Sequence, residues 1–228
     1  MMGIDFFLVV ESLPRLLSGV QTSLSLFATG LVAGTALSFL IVLLRLSGSA
    51  PLAIFAFGYA YFFRSTPFLV QIFVVYYGAS QFDFIRRTFL WEFFREPFFC
   101  FWLTLTLNVA ARVSEVLRGG IIGVPKGLKE AALATGLNSR QCFIYITAPI
   151  AIRLSLPAYS NEMVSAIKAT SLASMITLLD VTGVARTIVA QTFRPYELFL
   201  SAAIFYICMT WIIQFAVRRA ELHLNRNL

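Results

Sequence analysis

Ionisable side chains inside long apolar runs are the first candidates for chemistry in this chain. Arg112 and Glu115 lie three residues apart in the run 98–117, with Asn108 one helical turn before them. Asn161 and Glu162 stand together in the run 154–179, and Lys168 follows further along it. A charge in a membrane core is costly, so such groups face a cavity, a partner or one another. A buried carboxylate at Glu162 suits a guanidinium, imidazolium or ammonium group through charge-assisted hydrogen bonds. Thr66 and Gln71 flank Pro67, which has no amide donor and breaks a helix. Transport proteins use the backbone groups freed at such breaks around small polar ligands. Each candidate also has a structural reading. Arg112 and Glu115 share a helix face and can form an ion pair. Arg64 can hold the kink, Asn108 and Asn161 can bridge spans, and Lys168 can bind a carboxylate or satisfy a helix end.

The elements that position these groups are set by an apolar composition. Of the 228 residues, 59% are hydrophobic and 13% charged, with a mean hydropathy of +0.81. That is the composition of an integral membrane protein. The net charge of +7 is scattered, with no basic face interleaved with aromatics, which argues against nucleic acid as a partner. Loops facing anionic lipid account for the excess. Cys100, Cys142 and Cys208 have no ligand spacing and read as packing residues. One histidine, His223, in the polar tail, leaves no material for a metal centre or a Ser-His site. Asp5 and Glu11 stand where a secretory signal would carry positive charge, so no cleavable signal is expected.

About 20 apolar residues cross a bilayer core. On that measure the sequence predicts an all-α protein with five spans: 16–44, 52–78 interrupted at Pro67, 98–117, 154–179 and 198–217. Gly30 and Gly34 at four-residue spacing permit close helix contact in the first. Segment 83–97, mixed in charge and aromatic, reads as interfacial. Basic residues Arg45, Lys126, Lys129, Arg140, Arg153, Arg218, Arg219 and Arg226 outweigh those of the other side, placing the N-terminus outside and the C-terminus in the cytoplasm. The whole of 1–228 reads as one transmembrane domain.

Segment 119–149 is the cytoplasmic candidate, and within it 129–149 is a polar, helix-prone island. Residues 128–137 are rich in strong helix formers, Gly136 suits a C-terminal cap, and Asn138-Ser139 can start the next helix. Glu130-Ala131-Ala132 is followed after three residues by Gly136; nine residues then separate that glycine from Ile146, and Pro149 closes the pattern. This resembles the EAA loop of ABC importer permeases. The resemblance continues in Phe63-Arg64-Ser65-Thr66-Pro67-Phe68-Leu69-Val70-Gln71, in Ser114-Glu115-Val116-Leu117-Arg118-Gly119-Gly120-Ile121, in Leu156-Pro157-Ala158-Tyr159-Ser160-Asn161-Glu162 and in Lys168-Ala169-Thr170-Ser171-Leu172. These are similar to elements of the polar amino-acid permeases. Tyr159-Ser160-Asn161-Glu162, Ser80-Gln81-Phe82 and Thr192-Phe193-Arg194-Pro195 are similar to the M-type permeases of histidine and octopine/nopaline systems.

The resemblance implies a type I ABC importer permease fold in a bacterial inner membrane. It implies a heterodimer with a related Q-type permease, two copies of an ATPase that carry the ATP and Mg, and a periplasmic solute-binding protein. The Glu130, Ala131, Ala132 and Gly136 loop would couple to the ATPase, and the substrate would be a basic amino acid or an opine. No cofactor belongs to this chain, which has no phosphate-binding Gly-x-x-x-x-Gly-Lys-Ser/Thr loop. Four positions depart from the family pattern: Ala148 for leucine, Leu128 for a polar residue, Ser65 for glycine and Arg112 for tyrosine. Neutral or acidic amino acids are the alternative substrates. A proton-coupled transporter using Glu115 and Glu162 is the rival mechanism, and a non-transporting scaffold with residues 128–137 as a docking helix is a second.

Overall fold

Asp5 opens the first helix by accepting the Leu8 amide at 3.1 Å. The computed structural model describes residues 5–225, with side chains as far as residue 222; the side chains of His223 and Arg226 lie outside the described residues. Helix α1 then runs Phe6–Leu46, beginning ten residues before the uncharged stretch because the Asp5 cap, exposed Glu11 and Arg15 continue it outward. Helix α2 (Ala50–Ser65) and helix α3 (Phe68–Ala79) are one interrupted span. Sixteen residues in α2 reach only about 24 Å at 1.5 Å per residue, so both pieces are needed to cross. Short helices α4 (Asp83–Arg86) and α5 (Leu90–Phe94) form the expected surface segment.

Helix α6 (Pro97–Ile122) is the centre of the molecule and packs against α1, α2, α3 and α9. Gly30 and Gly34 explain how closely α1 approaches it. A Cβ at Gly30 would lie 2.8 Å from Leu105 Cδ2, and one at Gly34 would lie 2.7 Å from Val109 Cβ. The paired order, Gly30 with Leu105 and Gly34 with Val109, makes α1 and α6 parallel. The interrupted span returns the chain between them.

Helix α7 (Lys126–Ala134) is the polar island. It begins two residues earlier than residues 128–137 predict and ends in a left-handed cap. Gly136 has φ +91; its amide bonds Leu133 O at 3.0 Å, and the Leu137 amide bonds Ala132 O at 3.3 Å. These two bonds satisfy carbonyls that the helix end leaves open. Helix α8 (Ser139–Cys142) starts with a reciprocal capping box between Asn138 and Gln141. A π-turn, Phe143–Thr147, follows directly and leads into helix α9 (Ala148–Ala169). Pro149 accounts for the wider turn, since its ring would collide with the Tyr145 carbonyl in a regular helix.

Helix is continuous from Ser139, so most of the fourth apolar run, 154–179, lies inside a longer helical stretch, Ser139–Ile176. Past Ala169 the chain tightens into a 3₁₀ turn, Thr170–Ile176, and Thr177 leaves it at φ 71. Helix α10 (Val181–Thr192), absent from the five-span reading, then packs on α1 and on helix α11 (Pro195–Asn225). Four helical stretches are long and apolar enough to span by length and composition, and the α2–α3 pair makes a fifth crossing. All described regular elements are helical.

Candidate functional site: substrate pathway and coupling helix

The break at Pro67 builds the site. Proline cannot bond the carbonyl four residues back, which leaves Phe63 O without its helical donor. Gln71 Nε2 takes that place at 2.8 Å and also donates to Thr66 Oγ1 at 2.7 Å. Asn108 Nδ2, midway along α6, donates to Phe63 O at 3.2 Å and to Gln71 Oε1 at 3.0 Å. Asn108 Oδ1 in turn accepts from Arg112 Nε at 2.9 Å. Arg112 Nη1 then faces Glu162 Oε2 on α9 at 4.0 Å. Thr66, Gln71, Asn108, Arg112 and Glu162 therefore form one polar chain across three helices.

A cavity of about 130 Å³ lies where this chain meets α9, lined by Phe68, Asn108, Arg112, Glu162 and Ser165 among others. Glu162 Oε2 is buried and has no hydrogen-bond partner among the described residues. Its distance to Arg112 gives charge attraction but exceeds hydrogen-bonding reach. A buried acceptor left in this state costs about 1–3 kcal/mol, so the site favours a ligand that donates.

Glu115 does not pair with Arg112. Arg112 is turned toward Asn108 and Glu162. Glu115 instead accepts from Arg118 at 2.7 Å and meets Arg45 at 3.9 Å and Arg64 at 4.0 Å. Three guanidiniums around one carboxylate, one of them on exposed Arg64, leave this partly exposed region positive. Arg118 was visible one turn after Glu115. The approach of Arg45 from α1 carries no local signal.

Asn161 and Lys168 are exposed and lie outside the polar chain. They are seven residues apart on α9, nearly two full turns, and share a face with exposed Ser165. Lys168 borders a separate hollow with Tyr206, Thr210 and Gln214 of α11. Sequence reasoning missed a further polar knot. Asp180, wholly buried, caps α10 through the Thr182 and Gly183 amides and accepts from Tyr206 Oη at 2.8 Å.

On α7, Glu130 and Ala131 are exposed, as are Leu128 and Leu133, whereas Ala132 is buried against the chain itself. The face offered outward is thus Glu130, Ala131 and two leucines. Gly136 shapes the end of the helix.

Comparison with known proteins agrees with this architecture. Residues 30–228 match the family model described as the binding-protein-dependent transport system inner membrane component. The nopaline transport system permease protein NocM of Agrobacterium fabrum is 45% identical over 98% of this chain and 93% of its own length. The histidine/lysine/arginine/ornithine transport system permease protein HisM of Escherichia coli is 36% identical over 90% of this chain and 86% of its own. A solved amino acid ABC transporter, crystallised with histidines, superposes with TM-score 0.88 at 29% identity, covering 97% of this chain and all of that one. The chain belongs to the family of binding-protein-dependent inner membrane permeases, the transport subunits of ABC importers that work with a separate ATPase and a solute-binding protein.

Proposed function

We propose that this permease carries basic amino acids or opines, with Glu162 receiving the substrate's cationic group. The observation that carries the reading is the buried, unpartnered Glu162 Oε2 at the wall of the mid-membrane cavity. Arg112, held by Asn108, tunes that carboxylate and lies in reach of a substrate carboxylate. The broken span presents the first residue of α3, Phe68, at the same cavity, which suits the binding geometry used by other transporters with interrupted helices. The arginine excess around Glu115 favours a substrate bearing carboxylates beside its cation, as opines do. Similarity to nopaline and histidine/lysine/arginine/ornithine permeases supports the same class.

Residues 1–228 act as one permease domain, with the N-terminus outside and the C-terminus in the cytoplasm. A related Q-type permease completes the pathway, and its wall covers the Asn161, Ser165 and Lys168 stripe, which is too polar for lipid. ATP and its Mg are handled by the partner ATPase dimer. When that dimer closes on ATP, α7 is pushed through Glu130 and Ala131. The motion passes through α8, the π-turn and α9 to the cavity, opening it toward the solute-binding protein; hydrolysis resets it inward.

The test is substrate competition in vesicles containing the assembled importer. Glu162→Gln is expected to weaken arginine or opine transport at least ~30-fold, the loss of a charge-assisted contact of about 2 kcal/mol, with glutamine transport much less affected. Equal losses for cationic and neutral substrates would remove the assignment of Glu162.

A further inference from the structure

A second cavity, about 500 Å³, opens between α1, α6 and α9 near the end that carries α7. Leu43, Leu46, Leu117, Ile121, Phe143 and Ile152 are among its walls. It is separate from the substrate cavity. Leu117 follows Asn108 by nine residues, and Ile121 follows Arg112 by nine, which at 100° per residue puts them half a turn away around α6. The groove therefore lies on the flank of α6 that faces away from the polar chain.

Its interior offers a ligand nothing polar. The one hydroxyl in its lining, Ser155, donates to Val116 O at 3.3 Å. Leu43, Leu46, Phe143 and Ile152 are exposed along it, so it is open from the side. The mouth is different in character. Lys129 Nζ donates to the carbonyl of groove-lining Ile121 at 3.4 Å, which fixes an ammonium at the α7 end. Arg140, exposed, stands three residues before groove-lining Phe143 in the chain.

A hydrocarbon groove within the spans, closed at the membrane surface by an ammonium, matches an amphiphile with one anionic head. We infer that this groove holds an acyl chain of an anionic phospholipid, with its phosphate at Lys129. Charge selects the lipid over a neutral one, because an anionic headgroup keeps its net charge beside the ammonium, whereas in a zwitterionic headgroup the choline cation offsets the phosphate. The anchor residue precedes Glu130 on α7, so bound lipid tethers the coupling helix to the membrane surface.

Photolabelling tests this. The assembled importer, in nanodiscs of phosphatidylcholine, is exposed to phosphatidylglycerol or phosphatidylcholine carrying a diazirine in one acyl chain, and adducts are mapped by mass spectrometry. Phosphatidylglycerol is expected to label groove residues such as Leu43 and Ile152 several-fold more than phosphatidylcholine does. Lys129→Gln should abolish that preference while leaving phosphatidylcholine labelling unchanged. Ile152→Trp, which fills the groove from an exposed position, should lower labelling by both. Equal labelling by the two lipids, indifferent to Lys129→Gln, would reduce the groove to ordinary lipid contact. Groove residues that crosslink to the partner permease and not to lipid would overturn the proposal.

Discussion

Replacing Gln71 with methionine probes the construction of the site directly. Gln71 is 6% exposed, and the change keeps most of its side-chain volume while removing the polar end. Four bonds are lost: those to Phe63 O, Thr66 O and Thr66 Oγ1, and the one from the Asn108 amide. Hydrogen bonds within membrane helices average about 0.6 kcal/mol each, and the buried Asn108 amide left with a weaker partner adds about 1 kcal/mol. The total is roughly 3–4 kcal/mol. Pro67 supplies an internal control. Pro67→Ala restores an amide that can bond Phe63 O, so in that background Gln71→Met should cost about 1 kcal/mol less. Midpoints of SDS-induced unfolding, followed by circular dichroism on the assembled complex, give the four corners of the cycle. A Gln71→Met change within about 0.5 kcal/mol of zero, the range of an uninvolved site, would refute the reasoning. So would an equal cost in both backgrounds.

Further outcomes follow from other contacts. Gly34→Val places a Cβ 2.7 Å from Val109 Cβ; separating α1 from α6 should cost about 1–3 kcal/mol and lower the yield of folded complex. Gly136→Ala forces alanine to φ +91, about 1–2 kcal/mol of strain, and should raise the ATP consumed per substrate carried as the end of α7 frays. Tyr206→Phe removes the 2.8 Å bond to buried Asp180, worth about 1.5–3 kcal/mol, and should lower the unfolding midpoint without changing substrate preference.

Features that depend on local chemistry were legible in the sequence. Proline at 67 announces a break, glycine at 136 announces a cap, and Asn138-Ser139 announces a helix start, though the reciprocal bond from Gln141 was not foreseen. Gly30 and Gly34 predict a close crossing, though only the structure names Leu105 and Val109 as what they approach. Placement across helices was less accessible. Glu162 was singled out for its cost in a membrane and Gln71 for its place beside the Pro67 break, yet nothing local shows that Asn108 and Arg112 join them across α3, α6 and α9. Spacing allowed Arg112 to reach Glu115, but its partners are Asn108 one turn back on α6 and Glu162 on α9. Asp180 and α10 escaped because α10 is short and mildly amphipathic, and Asp180 lies where the sequence suggests only a connection. Lys168 shows the opposite limit, since its uncompensated charge was plain and its neighbours on α11 were not.

The most direct measurement is ATP-driven uptake by vesicles containing this chain, its partner permease, ATPase and solute-binding protein, with native Glu130 or Glu130→Arg. Arginine, histidine, lysine, octopine, nopaline and glutamine form the panel, each with and without ATP and a proton ionophore. The account predicts accumulation of a cationic amino acid or opine that requires ATP, ignores the ionophore, and is lost in Glu130→Arg although the chain remains in the membrane. Uptake that follows the proton gradient without ATP, or that is untouched by Glu130→Arg, would contradict it.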